Sequence, residues 1–187
     1  LVSGADAALL TRTKFLAAAG ARGYAVESHL HPSALGAEGE SLAMDVATGG
    51  RGDADALLLI TSGTHGVEGF CGSGCQVALL GDDAFAADVD VAGVAVALVH
   101  AITPYGFSHL RRTNEDNVDL NRNFRDFASP PARNAAYADV HPMLVPDAWP
   151  PSPANEARIA AYIAAHGAVA YQAAVSSGQF ERADGLF

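Results

Sequence analysis

The stretch "ALLLITSGTHGVEGF", residues 56–70, decides the fold. Residues 56–62 form a continuous apolar run of strand length, which predicts a central strand covered on both faces. The run ends in Gly63, Gly66 and Gly69, which bracket His65 and Glu68. Residues 70–81 then read as a helix. The chain therefore passes from strand through a tight glycine loop into a helix, and a histidine and a glutamate stand in the loop.

The rest of the chain extends this reading. Residues 5–20 have helical periodicity and end on Gly20. Residues 24–30 and 41–48 alternate like half-buried strands, and Gly49-Gly50 marks a turn. Residues 93–101 predict a second buried strand, and residues 154–167 a well-patterned helix. Strands alternating with helices predict an α/β domain: three layers, α/β/α, around a mixed, mostly parallel central sheet. The segment 126–153 carries Pro130, Pro131, Pro142, Pro146, Pro150 and Pro151 and reads as an irregular surface excursion beside a cleft. With no repeat or linker, residues 1–187 read as one domain.

Composition narrows the partners. The chain is half hydrophobic and carries a net charge of −10, with Lys14 its one lysine. No basic patch tracks a nucleic-acid backbone, so nucleic acid is excluded as a partner. No apolar run reaches the ~20 residues of a membrane helix. The arginines at 111, 112, 122 and 125 stand out as a local positive site. Cys71 and Cys75 read as small core residues in a reducing, cytoplasmic compartment, although a processed leader before Leu1 is compatible with the sequence.

Ligands of open α/β sheets bind at the carboxyl ends of strands. Two motifs fall at such ends, "GTHGVEG" (63–69) and the segment from His100 to Phe124. His and Glu both ligate zinc, and three residues apart on a helical turn they share a face. The alternative is structural: Glu68 caps the following helix and His65 is a loop residue. In "DNVDLNRNF" (116–124), Asn121 and Arg122 form a candidate clamp for a carboxylate, since Arg bonds carboxylates bidentately. Arg111 or Arg112 is placed to polarise a carbonyl. The alternative is an internal ion-pair cluster, such as Arg122 with Asp119. "CGSGC" is no Gly-x-Ser-x-Gly elbow, and no phosphate loop occurs.

Together, "GTHGVEG" and "NVDLNRNF" resemble the carboxypeptidase A-like zinc metallopeptidases (funnelins), closest to a largely bacterial, uncharacterised branch of zinc carboxypeptidases. "GESLAMDVA", "PYGFSHLRR" and "SSGQF" extend the resemblance over nearly the whole chain. It implies zinc held by His65 and Glu68, a terminal carboxylate held by Asn121 and Arg122, and a scissile carbonyl polarised by Arg112 or, as the alternative, Arg111. The implied reaction is hydrolysis of an amide bond beside a free carboxylate, in a peptide or an N-acyl amino acid. The alternatives are an aspartoacylase-like deacylase and a non-catalytic carboxylate- or peptide-binding domain. The pattern's third ligand, a later histidine, and its general-base glutamate have no match before Phe187. The sequence thus reads as the N-terminal portion of a longer domain, or as one half of a site that a second polypeptide completes. His100 and His109 are the nearest substitutes for the third ligand.

Overall fold

The computed structural model describes residues 3–186. Leu1 and Phe187, the ends on which the readings of a leader and of a continuing domain turned, lie outside the described residues. The chain divides into two compact units, Leu1–Glu115 and Asp116–Phe187.

The first unit has the expected α/β class. Its elements are α1 (Gly4–Ala21), β1 (Ala25–Leu35), β2 (Ser41–Gly50), β3 (Leu57–Thr61), α2 (Gly69–Gly81), α3 (Asp83–Ala92), β4 (Ala95–His100) and the short α4 (Pro104–Ser108). The strands form one mixed sheet in the order β1-β2-β4-β3. β1 pairs antiparallel with β2, β2 antiparallel with β4, and β3 parallel with β4. The sheet is thus mostly antiparallel where the sequence predicted mostly parallel. The reason is local: no helix separates β1 from β2, and so short a connection permits only a hairpin. Gly49 and Gly50, read as a turn, belong to the end of β2.

β3 is the second departure. The order places it at the sheet edge, and Leu57, Leu58 and Leu59 are 60, 39 and 56% exposed. The purely apolar run marks a strand suited to burial on both faces; the described residues do not supply that cover. The core instead gathers around β2 and β4: Phe15 and Ala19 of α1, Ala47, Leu80, Val89, Val96 and Leu98.

α1 starts on Ser3, whose hydroxyl accepts from the Asp6 N–H at 3.0 Å. It carries Arg12 against β2, where Nε and Nη2 bind both oxygens of Asp45 at 2.7 and 3.0 Å. Asp45 is fully buried and also accepts from the Ser28 hydroxyl.

α2 buries Gly69, Ser73, Gln76 and Leu80. This phase turns Cys71 and Cys75 outward, so both expected core cysteines are exposed and free. The buried face is polar because it closes on strand ends. Gln76 Nε2 donates to the carbonyls of Ile60 and Val99, and its Oε1 accepts from Ser62.

The second unit holds α5 (Ala135–Leu144), α6 (Pro153–His166) and α7 (Ala168–Ser176). They pack Tyr137, Val140, Met143 and Ala174 against Ile159, Tyr162 and Tyr171. α5 lies inside the segment read as irregular; Asn134 caps it, accepting from the Tyr137 N–H, and Pro142 falls in its last turn. α6 matches the expected helix within a residue, with Ser152 as its cap and Pro153 at its first position. No helix among the described residues is long and apolar enough to cross a membrane.

Candidate functional site

β3 and β4 are parallel neighbours, so the loops leaving them emerge together at one edge of the sheet. Main-chain bonds fuse the two loops: Ile102 N to Ser62 O at 2.9 Å, Thr103 N to Gly63 O at 2.8 Å and Val67 N to Arg111 O at 3.3 Å. The glycines make this approach possible. A Cβ on Gly66 would collide with the carbonyl group of Gly106, and one on Gly69 would meet the Phe107 ring at 2.5 Å. Gly63 has φ 68°, a left-handed conformation that an L side chain resists.

On this platform His65 is buried, 9% exposed, and its Nδ1 lies 3.2 Å from Glu68 Oε2. Glu68 occupies the cap position of α2, yet its side chain makes no capping bond. The structural role considered for Glu68 is therefore not the one it takes. Its other oxygen, Oε1, faces Arg112 Nη1 at 3.5 Å.

Arg112 reaches that place because α4 ends in a reversal. Leu110 has φ 52°, and the Arg111 N–H returns to the Gly106 carbonyl at 2.8 Å, a six-to-one closure of the Schellman type. Gly106 is wedged here as well, since a Cβ would meet the carbonyls of Thr113 and Arg111 at 2.7 and 2.8 Å. His65, Glu68 and Arg112 are thus brought together from two loops. Arg111 joins them through its main chain.

Asn121 and Arg122 belong to the second unit. Both are exposed, on a turn held by buried Asp119. Asp119 Oδ1 accepts from the Asn121 N–H at 2.9 Å, and the Asp119 carbonyl accepts from Arg122 N–H, also at 2.9 Å. The Arg122 guanidinium lies against the Asn121 carbonyl at 3.5 Å and makes no ion pair with Asp119. Both residues are thus exposed on a turn that the Asp119 carboxylate and carbonyl bond from within.

The other histidines have structural partners. His100 Nε2 bonds the Ser73 hydroxyl at 2.8 Å inside the core. His109 stacks on Tyr105 at 4.0 Å and meets the Leu35 carbonyl at 3.1 Å, so Tyr105 takes a packing role. Neither supplies the third donor sought in the sequence. Among the described residues no three His, Cys, Asp or Glu side chains gather as a metal site. The donors present suit zinc in kind, one imidazole nitrogen and one carboxylate oxygen, and number two.

Burial sets the charge state of His100. It holds the ring's pKa below the ordinary 6.5, although the neighbouring Asp45 carboxylate pulls the other way. In the unfolded chain the ring takes its proton near 6.5, so folding favours the neutral form. This contribution to stability is fully present above about pH 6.5 and is lost as pH falls from there through the lower folded value. Denaturant unfolding at pH 7, 6 and 5 should show a shallower decline for His100→Gln than for the wild type. Equal slopes would assign the decline to other groups.

What the fold and these loops define is an α/β protein with a His–Glu–Arg cluster at the carboxyl ends of adjacent parallel strands. The chain belongs to the family described as "Protein of unknown function (DUF2817)", which it matches over residues 9–187. No curated protein matches it.

Proposed function

We propose that the protein is a zinc-dependent hydrolase cleaving an amide bond beside a free carboxylate, in the manner of the metallocarboxypeptidases. The convergence of His65, Glu68 and Arg112 at the ends of β3 and β4 carries this reading. His65 and Glu68 would hold zinc, which supplies a water acidified to a pKa of about 7. Arg112 is the catalytic partner in this reading. Its guanidinium stabilises the oxyanion that develops on the scissile carbonyl, and its contact with Glu68 holds it beside the metal ligands. The resemblance assigns the substrate's free carboxylate to Asn121 and Arg122, and Arg111 fixes the loop through the Val67–Arg111 bond. The exposed free cysteines fit a reducing compartment, so we place the activity in the cytoplasm.

A catalytic zinc takes three protein ligands. This reading therefore requires one donor beyond His65 and Glu68, and a second polypeptide is one source it allows. Zinc titration tests the part that is present. Residues 1–187 should bind zinc weakly, and His65→Ala should weaken it by at least about tenfold, the lower end of what even outer-shell changes cost. If His65→Ala leaves zinc binding unchanged, the metal assignment fails. Turnover of short peptides against N-acyl amino acids then separates a carboxypeptidase from an aspartoacylase-like deacylase.

A further inference from the structure

A second polar site lies inside the first unit, lined in part by the end of β4 and the start of α4. A cavity of about 40 Å³ opens between α1, the start of β2 and α4. Ala8, Leu9, Leu42, Ala43, Pro104 and Phe107 make most of its wall apolar, and Arg12, Glu40, Ser41 and His100 are its polar residues.

His100 is the residue that needs an explanation. It is 2% exposed. One ring face stacks on Phe15 at 4.7 Å, Phe107 packs edge-on at 5.6 Å, and Nε2 is bonded to Ser73. The other nitrogen, Nδ1, is buried and no protein atom bonds it. Leaving such a nitrogen without a partner is costly, and folded proteins nearly always meet that need with protein or water. The charged groups around the ring do not meet it. Asp45, opposite His100 in the sheet, is occupied by Arg12 and Ser28, and Glu40 accepts from the Ser108 hydroxyl.

Space and chemistry then coincide. One water needs roughly 10–15 Å³ of a cavity so measured, together with two to four polar partners. The cavity is large enough, and Arg12 has spent only Nε and Nη2 on Asp45 and Ser28. We infer that this cavity is a hydration site, in which an ordered water bonds His100 Nδ1 and takes its other contacts from the polar wall that includes Arg12. An apolar ligand in its place would leave the nitrogen unmet. The water is a structural component of the joint between α1, β2 and β4. It lets the ring stay neutral while Nε2 ties β4 to α2 through Ser73.

A crystal structure at high resolution, repeated under xenon pressure, tests the inference. The expected result is a density peak about 2.7–3.2 Å from Nδ1 and no xenon in the cavity. A dry cavity lined by apolar groups takes up xenon. Xenon at this position, or no density beside Nδ1, would overturn the inference. In solution, the bound water should give a cross-relaxation peak to the His100 ring proton between the two nitrogens. That peak should be lost in His100→Phe, and its absence from the wild type counts against the site. Should the variant fail to fold, the wild-type density and cross-peak still decide.

Discussion

Arg12→Met should destabilise the first unit by about 3–5 kcal/mol, the usual cost of breaking a buried ion pair from one side. The size follows from burial. Asp45 is fully enclosed, and Arg12 meets both its oxygens at 2.7 and 3.0 Å. Methionine keeps much of the aliphatic stem of arginine and removes the charge, leaving Asp45 with the Ser28 hydroxyl at 2.5 Å and a desolvated carboxylate. The strength of the pairing appears on the arginine too, whose pKa is raised chiefly by its hydrogen bond to Asp45. The double variant Arg12→Met, Asp45→Leu should recover most of the loss, because a buried pair exchanged for apolar groups of similar volume is often neutral or better. The measurement needs a probe in the right unit. The single tryptophan, Trp149, belongs to the second unit and is not that probe. Amide hydrogen exchange in β2 and β4 reads it directly. Unchanged protection there in Arg12→Met would show that the pair contributes little.

Gly66→Ala should have the next largest effect, about 3 kcal/mol or more, at or above the upper end of overpacking costs. The added methyl would strike the main chain of Gly106 and Phe107, which no rotamer change relieves. Gly106 is itself wedged against the carbonyls of Arg111 and Thr113, so the strain passes to the turn that presents Arg112. Stability and local geometry should both change. Exchange of the Val67 and Arg111 amides, bonded at 3.3 and 2.8 Å, should speed up. Gly74→Ala is the control, since a Cβ at Gly74 meets nothing within 4 Å and alanine favours a helix. Equal stability of the two variants would mean that the loops are not packed as described.

The parts of this molecule that were legible in the sequence are those set by neighbours along the chain. α6 follows from apolar spacing and the Ser152 cap, within a few residues of one another, and the His65–Glu68 contact spans three positions. The Arg112–Glu68 contact was not legible as geometry. It depends on β3 and β4 being adjacent and parallel, and on the reversal at Leu110. The burial of β3 was misjudged because a leucine run states what a strand suits, whereas sheet order decides what covers it. Cys71 and Cys75 were misassigned for a related reason. Hydrophobicity suggested that α2 buries its small apolar residues. The helix turns Ser73 and Gln76 inward instead, where Gln76 donates to the carbonyls of Ile60 and Val99 and the Ser73 hydroxyl meets His100. α5 was hidden by prolines on either side of it and by Pro142 in its last turn.

The exposed leucines of β3 also bear on encounters between copies of this chain. A net charge of −10 makes copies repel at a distance, and that repulsion weakens as salt shortens the Debye length from ~30 Å at 0.01 M to ~8 Å at 0.15 M. The edge of β3 acts only on contact, through its exposed leucine side chains, and salt does not weaken it. Added salt therefore removes the barrier and leaves the adhesive strip intact, so the colloidal behaviour of the chain is a contest between its overall charge and five residues at one edge of its sheet.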